Sequence, residues 1–387
     1  MHERDLMIIG LGDGGSKIVD RFGELLQGNP AIVAINTDAH SLGESRATAK
    51  VQIGARLTQG MGTGGEPADG ETAATEDLEM VRVLFSDAKL VFVVVALGGG
   101  TGTGAAPVVL QAAREAGAMT MCFATLPFGF EGRQRMDNAR HAIPALREAA
   151  DSMVLIPNDR LFESASDAVI ADTFARADQA LGSGIYALWQ MMSKPGYIKL
   201  DFPTLQRAAS TARGVATLAV GSGDGKRRAE DAANTLLESP MLERGRILSV
   251  ARSVLVSIVG GPDLTLKDVG VVMDAITARA PKDAEILMGT ALDEGWTGRL
   301  AVTAVVCLPS GYLAGDSGAA ADRPAGQAAR PDAARPSRPP KAARETQTTL
   351  MLDIGGKGRF KDTEPTVMDG EDMDIPTFIR RGIPIEK

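Results

Sequence analysis

Through the first 160 residues, short apolar runs alternate with stretches whose apolar positions recur at helical spacing. Residues 6–10, Leu-Met-Ile-Ile-Gly, predict a strand, 16–26 a helix, and 31–35 a second strand that ends at Asn36-Thr37-Asp38. Val91, Val93, Val94 and Val95 make 89–97 an unbroken β-branched run, the pattern of a central parallel strand covered on both faces. A glycine-rich turn and a helix over 105–116 follow it, then strands at 119–125 and 152–156. This βαβα rhythm predicts an α/β, Rossmann-like doubly wound sheet, with ligands at the carboxyl ends of its strands.

Beyond it, 164–193 reads as one long helix, stopped at Lys194-Pro195-Gly196 because proline cannot continue the hydrogen-bond ladder. Strands at 214–220, 249–259, 284–291 and 298–308 and helices at 227–237 and 265–278 predict a smaller α+β domain. From 311 to 349 alanine, proline, arginine and aspartate dominate. Such a stretch buries too little to offset its chain entropy, and predicts a disordered linker. Apolar character returns in Asp374-Ile375-Pro376-Thr377-Phe378-Ile379-Arg380-Arg381, which reads as a docking peptide on a tether or as a frayed end. The expected layout is a nucleotide-binding domain (1–162), a central helix (163–195), an α+β domain (196–310), a linker (311–370) and a docking tail (371–387).

Composition narrows the chemistry. With a net charge of −8 and 4% aromatic residues, no basic field exists to attract nucleic acid or anionic lipid. A phosphate ligand must then be held by local main-chain amides. Cys122 and Cys307 lie in apolar runs with no Cys/His cluster beside them, which predicts buried, reduced thiols. No run approaches the roughly 20 apolar residues of a membrane span, so a soluble protein that stays inside the cell is expected.

Two glycine-rich turns each join a predicted strand to a helix: Gly10-Leu11-Gly12-Asp13-Gly14-Gly15-Ser16 and Gly98-Gly99-Gly100-Thr101-Gly102-Thr103-Gly104. Without side chains, the backbone comes close to phosphate oxygens and aims several N–H groups at them, with a helix N-terminus behind. The first turn with Asp38 matches a dinucleotide fingerprint, which leaves an NAD(P) oxidoreductase open. The second turn favours a triphosphate, since a dehydrogenase needs one pyrophosphate loop, and the Thr101 and Thr103 hydroxyls add donors for phosphate or a hydrated Mg²⁺. Neither loop closes with Lys-Ser or Lys-Thr, which excludes a Walker P-loop.

The run from Gly98 to Pro107 resembles the tubulin/FtsZ signature almost letter for letter. Asn36-Thr37-Asp38, Gly60-Met61-Gly62-Thr63-Gly64-Gly65, Phe130-Glu131-Gly132, Ile156-Pro157-Asn158-Asp159 and Gly260-Gly261-Pro262-Asp263-Leu264-Thr265-Leu266 also resemble FtsZ segments. The tail Asp374–Arg381 is similar to the FtsZ peptide that docks membrane-tethering and regulatory division proteins; tubulins lack it. The resemblance implies a cytoplasmic GTPase that binds GTP or GDP with Mg²⁺ and stacks head to tail into the ring at the bacterial division site. Neither nucleic-acid binding nor direct membrane insertion is expected of it. By the same resemblance the nucleotide lies against Gly12, Asp13, Gly14, Gly15, Ser16, Lys17, Gly99, Gly100, Thr101, Gly102, Thr103 and Gly104. Glu131 and Arg135 reach the ribose, unless they are a solvated surface pair. Phe174 stacks on the base, and Asp178 stands where the family has an asparagine. A loop of the neighbouring subunit, here 199–205, completes the site with Asp201 as its catalytic residue.

Several positions depart from that pattern. Asp13 interrupts the first glycine run, and a carboxylate facing phosphate is costly in a poorly solvated site, so it is expected to turn outward. Lys17 replaces an asparagine near the base. Asp178 either accepts from the N1–H and amino group of guanine or pairs with Lys17. Gln179 stands where an aspartate is usual. In the intersubunit loop Lys199 replaces the asparagine and Thr204 the second acid, and a hydroxyl cannot act as a water-orienting base. Slow hydrolysis with binding and assembly retained is the expectation.

Overall fold

The computed structural model describes residues 5–23, 31–161, 170–200, 202–205, 215–309, 367–368 and 371–372, with backbone alone for 161, 170–177, 180, 367–368 and 371–372. The expected linker, most of the docking tail, Asp201 and the side chain of Phe174 lie outside the described residues.

Residues 1–323 form one compact unit. Its elements run β1 (Leu6–Leu11), α1 (Gly12–Gly23), β2 (Ala31–Asn36), α2 (Ala39–Glu44), β3 (Ala49–Gln52), α3 (Ala55–Thr58), α4 (Pro67–Glu76) and α5 (Leu78–Val83). There follow β4 (Leu90–Ala96), α6 (Thr101–Glu115), β5 (Met119–Leu126), α7 (Arg133–Ala149), β6 (Ser152–Pro157), α8 (Asn158–Leu161) and the long α9 (Ile170–Ser193). The remainder holds β7 (Val215–Asp224), helix Arg228–Glu238, β8 (Ser253–Gly260), helix Leu266–Thr277, β9 (Glu285–Leu292) and β10 (Arg299–Cys307). In the second unit, 324–387, the two-residue strands Val367–Met368 and Glu371–Asp372 pair antiparallel.

One ten-stranded sheet runs β3-β2-β1-β4-β5-β6-β7-β10-β8-β9. The first six strands are parallel, as expected of a doubly wound half, and β10 runs antiparallel to both β7 and β8. The α+β half is therefore joined edge to edge: β6 and β7 share the register pairs Met153–Val215 and Val154–Ala216. The α/β fold read from the sequence holds, but the sheet does not break between its halves.

The valine run is buried on both faces for a visible reason. Phe92 and Val94 of β4 join the core under α1 and α9, while Val91, Val93 and Val95 join the core under α4, α6 and α7. Each fully buried side chain of this size contributes about 1.5–3 kcal/mol.

Two glycines set how closely helices approach. A Cβ on Gly104 of α6 would lie 1.8 Å from the Pro67 carbonyl oxygen of α4, and one on Gly182 of α9 would lie 2.6 Å from Cβ of Phe22 on α1. Bare backbone at these points lets α4 cover α6 and lets α9 lie against α1. Helix starts also differ from the sequence reading: α1 begins at Gly12 and α6 at Thr101, so both glycine turns are first helical turns. Glycine's poor helix propensity hid this, and tertiary packing overrides it. Gly104→Ala is expected to cost at least ~1–3 kcal/mol through overpacking, read as a lowered thermal midpoint.

Candidate functional site

At the carboxyl ends of β1, β2, β4, β5 and β6 lies a cleft of about 680 Å³, within the range of small-molecule sites. α1 and α6 both begin here. The amides of a helix's first turn lack intrahelical acceptors, so two sets of N–H donors and two positive helix ends meet at one place.

The loops are locked together before any ligand arrives. A Cβ on Gly12 would lie 2.9 Å from the Gly102 amide nitrogen, so the two glycine turns touch through backbone. The Thr101 hydroxyl bonds those of Thr37 (2.6 Å) and Thr63 (3.3 Å), tying α6 to the end of β2 and to a third glycine loop, 60–65. Asn138 of α7 donates to the Gly65 and Gly98 carbonyls at 3.2 and 3.4 Å. On the cleft side, by contrast, Gly64, Gly65 and Gly99 face open space: a Cβ at each would meet nothing within 4 Å. Main chain thus forms a pre-built cradle on three sides.

Of the residues nominated from the sequence, Gly12, Asp13, Gly14, Lys17, Gly99, Gly100, Thr101, Gly102, Glu131, Arg135 and Asp178 line this cleft. Gly15, Ser16, Thr103 and Gly104 are not in its wall. Gly15 lies against the Val94 carbonyl and Gly104 against α4. The Ser16 hydroxyl donates to the Gly10 carbonyl at 3.2 Å, and the Thr103 hydroxyl accepts from the Gly98 amide at 2.9 Å. Both threonines brace the loops: Thr103 lies behind the wall against the Gly98 amide, whereas Thr101 links Thr37 and Thr63 and also lines the cleft.

Asp13 does not simply turn outward. Its Oδ1 accepts from Asn36 (3.0 Å) and its Oδ2 faces the Lys17 ammonium (3.4 Å). Partial burial works against ionisation, but hydrogen bonds from Ser41 and Asn36 and the Lys17 charge outweigh it, and its carboxyl titrates below the usual range. The suggested Asp178–Lys17 pair is also corrected, since Asp178 pairs with Arg21 on the last turn of α1. Burial raises the Asp178 pKa to about 6 against the opposing pull of Arg21. Glu131 and Arg135 pair with each other at 3.0 Å, and the second Glu131 oxygen accepts from the Phe128 amide.

The cleft wall also holds residues that were not assigned as nucleotide contacts: Asn36, Asp38, Gly62, Thr63, Gly64, Gly65 and Asn158, from segments noted only for their resemblance, and Thr125 and Pro127. Thr125 and Pro127 were findable from the rule that ligands sit at strand ends. Asn158 is the more telling omission, because its carboxamide oxygen is shielded from solvent and has no hydrogen-bond partner among the described residues. An acceptor left in this state in a cleft wall fits a ligand donor.

The lining carboxylates Asp13, Asp38, Glu131 and Asp178 nearly balance Lys17, Arg21 and Arg135, so main-chain amides supply the positive potential. A polyphosphate fits this donor set. No group of three or more His, Cys, Asp or Glu suited to a metal occurs among the described residues, so a divalent ion would have to come with its phosphates. Both cysteines are free and buried; burial pushes the Cys122 thiol up to about 12 and also raises that of Cys307, which leaves them unreactive. No helix among the described residues is long and apolar enough to cross a membrane.

Comparison with known proteins agrees with this geometry. Residues 5–166 match the model of the Tubulin/FtsZ family GTPase domain, and 214–308 match the C-terminal domain of the FtsZ family. Among solved structures, an empty FtsZ dimer from M. jannaschii is 34% identical, with a TM-score of 0.73 over 78% of this chain and 88% of that one. A tryptophan-to-tyrosine mutant of the M. jannaschii FtsZ aligns with the same score and identity, covering 90% of its chain. CetZ2 from Haloferax volcanii, as a GTPgS-bound protofilament, is 23% identical with a TM-score of 0.65 over 78% and 92%, a likeness of fold. A main-chain cradle at the ends of parallel strands, an FtsZ-type second domain and this degree of identity together place the chain in the Tubulin/FtsZ family of GTP-binding proteins.

Proposed function

We propose that this chain binds GTP in the cleft, stacks head to tail with copies of itself, and hydrolyses GTP slowly at the junctions as the filament of a cytoplasmic division ring. The observation that carries the reading is the meeting of two helix N-termini and three glycine loops on one open cradle. Phosphates would rest on the amides of 12–14 and 99–102, with Mg²⁺ brought by the triphosphate into a wall that holds Asp13 and Asp38. Asn158 would give its unpartnered oxygen to a ribose or base donor, Glu131 and Arg135 would flank the sugar, and Asp178 would take the N1–H and amino group of guanine. Adenine offers a different pattern there. Large apolar side chains stand exposed near the cleft, Met61 at 76% and Phe130 at 67%, which suits a surface covered by the next copy.

Slow turnover follows from the loop at 199–205. With lysine at 199 and threonine at 204, Asp201 is its one carboxylate. Loss of a water-orienting base costs about 10²–10⁴-fold. The same substitutions support a second reading, a non-hydrolysing scaffold of the same family with partners docked on 374–381. An oxidoreductase is disfavoured, because a dinucleotide site needs one pyrophosphate loop, whereas here two glycine turns that open helices meet on one cleft.

Sedimentation and phosphate release measured on one sample test this directly. The expected outcome is GTP-dependent pelleting with turnover at least about tenfold below that of an FtsZ carrying both loop acids. Turnover equal to such an FtsZ, and abolished by Asp201→Ala, would refute the loop reading; no GTP binding at all would refute the function. Asn158→Ala should weaken GTP binding by about tenfold while leaving the thermal midpoint of the nucleotide-free protein unchanged or higher, because it removes a buried acceptor that lacks a partner.

A further inference from the structure

We propose that Arg21, which no motif marks, is a positioning residue for the nucleobase: its ion pair with Asp178 across the α1–α9 joint holds that carboxylate ionised and aimed into the cleft. The inference rests on the reading of Asp178 as the base acceptor and goes beyond it by assigning the group that makes it competent.

Geometry carries it. Arg21 and Asp178 are 157 residues apart, on different helices, and both line the cleft. The joint between those helices is built closely: Gly182, one turn beyond Asp178, leaves room for Phe22, the neighbour of Arg21. Phe22, Leu181 and Ile185 are buried in the same core. The ion pair is thus fixed from both sides by packing, while the Asp178 side chain is only 14% exposed.

The charge logic is specific to these residues. A guanine edge presents two donors, the N1–H and the amino group, and needs an ionised carboxylate as acceptor. A protonated carboxyl would set its own O–H against them. Burial drives Asp178 toward that protonated form, with a pKa of about 6, and Arg21 is the charge that opposes it. Other charged groups in the cleft wall are occupied. Lys17 pairs with Asp13 and Arg135 with Glu131, while Asp38 caps α2. On the rest of α1, Asp20 accepts from Ser45 and Arg46. Against the other end of α9, Lys194 pairs with Asp293. Among the described residues, Arg21 is the partner that Asp178 has.

Removing Arg21 while keeping its bulk should let desolvation act unopposed and move the titration of Asp178 upward by about one pH unit or more. The effect on binding has a definite sign. Guanine selectivity is full above the Asp178 pKa and falls as pH drops through it, by up to about tenfold per unit for one proton.

The test uses the full chain, with GDP and ADP as probes, competing against a fluorescent GDP between about pH 5 and 8, the range that brackets the expected titration. The ratio of GDP to ADP affinity is the readout, because both ligands carry the same titrating diphosphate. The unaltered protein should lose selectivity below about pH 6. Arg21→Gln should move that midpoint up by about one unit, Arg21→Lys should restore it in large part, and Asp178→Asn should give a flat profile. A uniform loss of affinity in Arg21→Gln with the midpoint unmoved would make Arg21 merely structural and overturn the inference, with the Asp178 reading intact. A flat ratio already in the unaltered protein, indistinguishable from Asp178→Asn, would instead overturn the reading of Asp178 itself.

Discussion

The contact of main chain with main chain at the ends of the parallel strands is the constraint on which this molecule depends. Gly12 against Gly102, Gly15 against the carbonyl of Val94, and Gly104 against that of Pro67 leave no space for a Cβ. Glycine at these points costs backbone entropy and helix propensity, yet it brings two helix starts to one spot and keeps them there. The threonine hydroxyls then hold the loops in register. Because this scaffold is satisfied internally, the amides facing the cleft remain for a ligand.

A second consequence concerns charge. The protein carries a net negative charge, and its cleft holds about as many carboxylates as cations. Binding of a polyphosphate cannot rest on a basic patch. It rests on oriented amides and helix ends, whose effect is local and less exposed to screening by salt than a surface field. The side-chain charges neutralise one another, Asp13 with Lys17, Glu131 with Arg135, and Asp178 with Arg21. They orient the cleft more than they polarise it.

The pairing of Asp178 with Arg21 also explains why α9 matters. This helix lies against α1 on one side and against β7 and β8 of the second half on the other, so it reaches from the cleft into the core beneath the mixed strands. The β6–β7 pairing makes the two halves one sheet at that level.

Local pattern by itself determined the alternating α/β half, the buried valine strand, the long helix and the two phosphate-type turns, because hydrophobic period and glycine runs are written in neighbouring residues. The glycine loops also nominated part of the cleft wall, Asp13 included, and the family resemblance added Glu131, Arg135 and Asp178 to it. Local pattern could not say where each helix begins, since glycine's propensity opposes what packing imposes at Gly12 and Thr101. Nor could it separate Thr101, which faces the cleft, from Thr103, which closes the loop, because two residues along a helix turn the side chain through more than half a circle. The partner of Asp178 was invisible for a different reason: opposite charge nominated Lys17, whereas the packing of Phe22 under Gly182 delivered Arg21. Contacts between residues far apart in the chain belong to the tertiary structure alone.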